Sequence, residues 1–133
     1  MTNVVDSSGW IEYFLDTASA DNFAAAIEQT DQLIVPALSF FEVHRFLSRT
    51  VNAAQRETCL DIMRRAKVVE LTAQRAIAAS AAAQKHRLAM ADAVMYSIAQ
   101  EFNATFWTQD TDYKDLPGVS FHAKPSSDRS PPA

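Results

Sequence analysis

Five short apolar, partly β-branched runs recur along the chain, at Asn3 to Val5, Leu33 to Val35, Val68 to Leu71, Thr105 to Trp107 and Val119 to Phe121. Each is short enough for a buried strand. Between them lie helical patterns at Ser7 to Leu15, Ser19 to Gln29, Ser39 to Thr50, Asn52 to Ala66, Thr72 to His86 and Ala91 to Phe102. Most open on Ser, Thr or Asn, whose side chains cap a helix start. Strands alternating with helices predict an α/β fold whose mainly parallel central sheet is covered on both faces.

A chain of 133 residues with 48% hydrophobic side chains supports one compact domain, assigned to residues 1–122. The remainder, 123–133, is rich in Pro and Ser, lacks large apolar side chains, and is expected to be a flexible tail. No apolar run approaches bilayer length and no signal-peptide pattern opens the chain, so a cytoplasmic location is expected, with no membrane partner. The single cysteine, Cys59, cannot form an internal disulfide and reads as a small core residue. Two glycines, Gly9 and Gly118, are too few for the Gly-rich phosphate loops of dinucleotide-binding or P-loop enzymes. The net charge of -4 argues against a broad electrostatic grip on nucleic acid, though not against a local one.

Within "ADAVMYSIAQEF", residues Ala91, Met95, Ile98 and Phe102 form one apolar helical stripe, which assigns Met95 and Phe102 to the core. The aromatic side chains of Trp10, Phe14, Phe40, Phe41 and Phe46 are likewise assigned to packing around the sheet, ahead of base stacking. The Ala-rich stretch "AQRAIAASAAAQKHR" suits close helix packing or a subunit contact. His44, His86 and His122 lie in no metal-binding or catalytic pattern and read as structural or solvated.

The acids are placed less evenly. In "NVVDSSGWIEYF" an apolar run ends directly on Asp6, and burying a carboxylate costs several kcal/mol unless something compensates it. Ligands of parallel sheets bind outside the carboxyl ends of the strands. Glu42 follows the second run and is expected in the first turn of the next helix. Asp92 opens the helix before the fourth run, and Thr108, Asp110 and Asp112 follow that run. Each has an ordinary reading. Asp6 serves as a helix cap, Ser39 and Glu42 match the S-x-x-E capping box, Asp92 suits the positive end of a helix, and Asp110 and Asp112 shape a turn.

If Asp6, Glu42, Asp92 and Asp110 converge, each pair at ~5 Å repels by roughly 3 kcal/mol at an effective dielectric of about 20. Such a set protonates, splays or takes a cation. Oxygen ligands without Cys select Mg²⁺ or Mn²⁺ over zinc, and a hard divalent ion activates water and stabilises a phosphodiester transition state. Setting those four aside leaves 12 acidic side chains against 12 basic ones, so the remaining surface is neutral on balance.

With "VVDSSGWI", Glu42 after "VPALSF", "LAMADAVMYSIAQEFNA" and "FWTQDTDY" in this order, the sequence resembles the PIN-domain family, and within it the VapC-like toxins of type II toxin–antitoxin pairs. The resemblance covers the chain to about Phe121. It implies a three-layer α/β/α fold with about five strands, Mg²⁺- or Mn²⁺-dependent endoribonuclease activity, a homodimer, and inhibition by a cognate antitoxin. Asp6, Glu42, Asp92 and Asp110 match the family's acidic positions, Asp112 a further acid, and Ser7 and Thr108 the neighbouring hydroxyls. The implied roles are metal holding by Asp6, Asp92, Asp110 and Asp112, with Glu42 as a ligand or as the group that orients the attacking water. Tyr96 departs from the small residue more usual at its position. Arg45 shares the helical face of Glu42 and is a candidate phosphate contact on an RNA substrate. Two other readings stay open: a non-catalytic RNA-binding scaffold of the same fold, and a Mg²⁺-binding phospho-acceptor module, which would need a late lysine near its acids.

Overall fold

The computed structural model describes residues 1–125 of the chain. In order it forms β1 (Asn3–Val5), α1 (Ser7–Leu15), α2 (Asp21–Glu28), a 3-10 turn (Thr30–Gln32), β2 (Leu33–Pro36), α3 (Ala37–Thr50) and α4 (Ala53–Arg64). Then follow β3 (Lys67–Val69), α5 (Ala73–His86), α6 (Met90–Glu101), β4 (Thr105–Thr108), a second 3-10 turn (Thr111–Tyr113) and β5 (Val119–Phe121). The sheet runs β3-β2-β1-β4-β5, and all four pairings are parallel. Most of the tail expected over 123–133 lies outside the described residues.

Period-two alternation divides the core between the two sheet faces. Val4, Ile34, Val69 and Phe106 point to one side, against Ala79, Met95, Tyr96, Ile98, Ala99 and Tyr113. Val5, Leu33 and Val35 point to the other, against Trp10, Phe23, Ile27, Val43, Leu47, Leu60 and Met63. The result is the expected α/β/α sandwich. Met95 is fully buried and Phe102 packs against the same cluster, as its stripe predicts. Tyr96 is buried too, and its hydroxyl donates to the Pro117 carbonyl at 2.6 Å, tying α6 to the turn before β5.

Three local expectations shift. The third strand falls at Lys67–Val69 rather than Val68 to Leu71, because its partner β2 ends at Pro36, opposite Val69, and leaves Glu70 and Leu71 nothing to pair with. Helix α3 starts at Ala37, with Pro36 as its N-cap and no capping side chain. Ser39 is therefore the third helical residue, and Glu42 sits in the second turn rather than the first. The Ser39–Glu42 capping box does not form; the buried Ser39 hydroxyl instead meets the Met95 sulfur at 3.4 Å. A true box closes one helix later, where Asn52 Oδ1 accepts from Gln55 N at 2.8 Å and Gln55 Oε1 accepts from Asn52 N at 3.2 Å. Finally, Phe41 is not core: its side chain is 61% exposed.

Candidate functional site

Strands β1 and β4 are neighbours although two other strands, β2 and β3, lie between them in the chain, and the connections leave this pair in opposite directions. Their carboxyl ends therefore flank the crevice of a topological switch point. Val5 is in register with Trp107, and the Asp6 N–H donates to the Trp107 carbonyl at 2.9 Å, so the first residue after β1 lies beside the end of β4. Thr108 closes β4, and its hydroxyl donates to Asp6 Oδ2 at 2.9 Å.

Asp6 is at once a helix cap and a site residue. Its Oδ1 accepts from the Ser7 N–H at 2.8 Å, which caps α1, while Oδ2 takes the Thr108 hydroxyl. A solvated cap would titrate as an ordinary aspartate. Asp6 is only 5% exposed, and burial, aided by the charges of Asp92 and Asp110 and opposed by the hydrogen bonds from Thr108 and Ser7, pushes its carboxyl up to about 7.

The other acids arrive from separate elements. Glu42 extends from α3, where Ser7 Oγ donates to its Oε1 at 2.7 Å. Asp92 comes from the first turn of α6; burial first, and then the charges of Asp110, Glu42 and Asp112, raise its carboxyl above the usual range. Asp110 caps the second 3-10 turn by accepting from the Asp112 N–H at 2.9 Å, and its own N–H donates to Thr108 Oγ1 at 3.0 Å. Carboxylate oxygens of Asp92, Asp110 and Asp112 all lie within 4.8 Å of one another.

A cleft of about 550 Å³ opens here, with Asp6, Ser7, Glu42, Asp92 and Asp110 among its lining residues. Asp112, more exposed, stands beside the cleft and not in its lining. Arg45 lines it, as do Arg49 and Lys124. An acidic floor thus carries cations at its margin. No histidine lines the cleft: His122 stacks on Trp107, His86 meets Tyr96 edge-on, and His44 is exposed on α3.

Two features have no counterpart in the sequence reading. Tyr113 is fully buried, its hydroxyl beside Asp92 without closing a well-formed hydrogen bond. Burial and then the charges of Asp6 and Asp92 raise this phenol far above its ordinary pKa, so it stays neutral among the carboxylates. An aromatic directly after "DTD" was its only signal. The second is Glu12 on α1, whose oxygens accept from the Thr17 hydroxyl at 2.6 Å and Gln109 Nε2 at 2.7 Å, with Lys124 Nζ at 3.5 Å. This link holds the β4 end, where Gln109 sits between Thr108 and Asp110, against α1. Its only sequence signal was the four-residue spacing of Glu12 from Ser8, which shares the helix face turned to the cleft.

The PIN-domain family model matches residues 4–119 of the chain. The chain belongs to the PIN-domain family. No curated protein matches it significantly. Among solved structures, a toxin–antitoxin complex from Klebsiella pneumoniae aligns with a TM-score of 0.78 at 17% identity, over 92% of this chain and 100% of that one. VapC20 of Mycobacterium tuberculosis, described as a sarcin–ricin-loop-cleaving toxin, aligns at 0.73 and 14% identity, over 89% and 97%. VapBC2 from Rickettsia felis, bound to a promoter DNA fragment, aligns at 0.70 and 15% identity, over 92% and 98%. At these identities the likeness is one of fold. The PIN fold also sets aside the phospho-acceptor module, whose doubly wound sheet has the order 2-1-3-4-5 in place of the 3-2-1-4-5 found here.

Proposed function

We propose that this PIN domain is a divalent-metal-dependent endoribonuclease and the toxin half of a type II toxin–antitoxin pair. The observation that carries the reading is the meeting of Asp6, Glu42, Asp92 and Asp110 in one cleft, with Asp6 and Asp92 held above their ordinary pKa by burial and mutual repulsion. Four acids crowded this way are costly in a bare protein and useful to one that takes a cation. The donor set is all oxygen, which fits Mg²⁺ or Mn²⁺. Asp6, Asp92, Asp110 and Asp112 would hold the ion, which when bound supplies Lewis acidity toward a phosphodiester oxygen and an acidified water.

The protein's own groups do the positioning. Ser7 spends its hydroxyl on Glu42, fixing that carboxylate to orient the attacking water and receive its proton. Thr108 and the Ser7 N–H hold both oxygens of Asp6, and the Thr108 hydroxyl also receives the Asp110 N–H, so one threonine couples the ends of β1 and β4. Arg45 at the cleft margin is placed to meet the substrate phosphate. The toxin reading draws support from neighbours described as toxin–antitoxin complexes, and it brings with it a cognate antitoxin, a homodimer and a cytoplasmic site of action. No helix among the described residues is long and apolar enough to cross a membrane.

The test is cleavage of a panel of single-stranded and structured RNAs with Mg²⁺, with Mn²⁺ and with EDTA. Cleavage in either metal and none in EDTA is expected. RNA binding without cleavage in any metal would replace the enzyme with a non-catalytic RNA-binding scaffold.

A further inference from the structure

We infer that Phe41, Arg45 and Arg49 form a track along α3 that receives single-stranded RNA, with the Phe41 ring stacking on an unpaired base next to the scissile phosphate. The inference rests on the nuclease reading of the cleft and adds to it which side chains outside the acids, Phe41 and Arg49 above all, guide the strand. The three residues are spaced at i, i+4 and i+8, so they lie on one helical face, spanning about 12 Å at 1.5 Å per residue. They line the acid cleft, and they also line a second groove of about 670 Å³ between α3 and α4, where Leu60 and Arg64 contribute from α4. A chain leaving the acidic floor by this side crosses all three.

The chemistry along the track alternates as a nucleic acid strand requires. Neither Arg45 nor Arg49 has an ion-pair partner among the described residues, although the protein is acidic overall, so both guanidinium groups are available to phosphate. Phe41 is a large ring left in water beside two free cations, immediately before Glu42 in sequence. Its neighbours Phe40 and Phe46 pack against the core, so the exposure belongs to this position and not to the helix as a whole. Base–aromatic stacking needs an open π-face, which a base can use only when it is out of a duplex.

Fluorescence anisotropy with a labelled twelve-nucleotide RNA, single-stranded and as its duplex, measures the track without cleavage when Ca²⁺ replaces Mg²⁺ as the hard divalent ion. The wild-type protein should prefer the single strand. Phe41→Ala should weaken single-strand binding about tenfold, the order expected from the loss of one stacked base, with an unchanged melting temperature. Phe41→Trp should bind at least as well as wild type, and Arg49→Gln should reduce the salt dependence of binding by about one phosphate contact. Phe41→Ala binding within twofold of wild type would overturn the inference and assign the ring to a protein contact; failure of the wild type to bind the single strand would also overturn it. Single-strand binding that is weakened by Phe41→Ala, together with no cleavage of the RNA panel in any metal, would support the track and remove the hydrolytic reading alone.

Discussion

Asp6 divides its two oxygens between a backbone N–H that starts α1 and a hydroxyl that ends β4, and this division explains why a strand here terminates on a charge. The position of the acids after strand ends was readable in the sequence, because alternating strands and helices tell which loops share an edge. The resemblance named Ser7 and Thr108 as neighbouring hydroxyls, but which acid each one bonds was not readable. Ser7, Thr108 and Glu42 are far apart in sequence, and only the sheet brings them within hydrogen-bond reach. Phe41 shows the opposite failure: its aromatic neighbours made a core role look natural, and exposure depends on which side of α3 meets the sheet. The electrostatics of Asp6 yield a pH prediction for the metal-free protein. Its carboxyl titrates near 7 when folded against a reference of 3.8, so between those values the folded state binds more protons than the unfolded one. Stability contributed by this group therefore falls as pH rises through that window, by on the order of a few kcal/mol. In EDTA the melting temperature should be higher at pH 5 than at pH 8, and Asp6→Asn should flatten the difference and be at least as stable as wild type at pH 8. A profile unchanged by Asp6→Asn would show that the carboxylate is not strained.

Element boundaries follow from how each segment meets its neighbours. Strand cores were legible as β-branched runs, and Asn52 and Thr72 both cap helices as their side chains predict. Where local chemistry and sheet geometry competed, geometry prevailed: the S-x-x-E pattern at Ser39 could not cap because the chain leaves β2 directly into a helix at Pro36. Glycine 9 marks another such constraint. A Cβ there would come within 2.7 Å of Val5 Cγ1 and 2.8 Å of Phe23 Cδ1, so α1 lies against β1 and α2 at a distance that only glycine permits. Gly9→Ala would gain helix propensity of up to about 1 kcal/mol, but forcing a methyl group into packed atoms costs about 1–3 kcal/mol. We expect a net loss of stability in chemical denaturation, with Asp6 and Ser7 displaced as α1 shifts. A variant as stable as wild type would mean that Val5 and Phe23 yield without cost.

At the scale of the whole molecule, the site exists only when the chain is folded, since its acids come from the ends of β1 and β4 and from α3 and α6. The strand order that makes β1 and β4 neighbours was not readable from the sequence, although it decides where the crevice falls. Any ion held jointly by these segments is bound by the native state and not by the unfolded chain, so it must stabilise the fold. At about a hundredfold excess over its dissociation constant the gain is roughly 2.7 kcal/mol, which for a domain of this size raises the melting temperature by roughly 10 °C. Thermal melts of the wild type and of Asp6→Asn, Asp92→Asn and Asp110→Asn, each with EDTA and with Mn²⁺, test the shared site directly. The wild type should gain stability with Mn²⁺ while all three variants lose most of that gain; an undiminished Mn²⁺ shift in all three would contradict it.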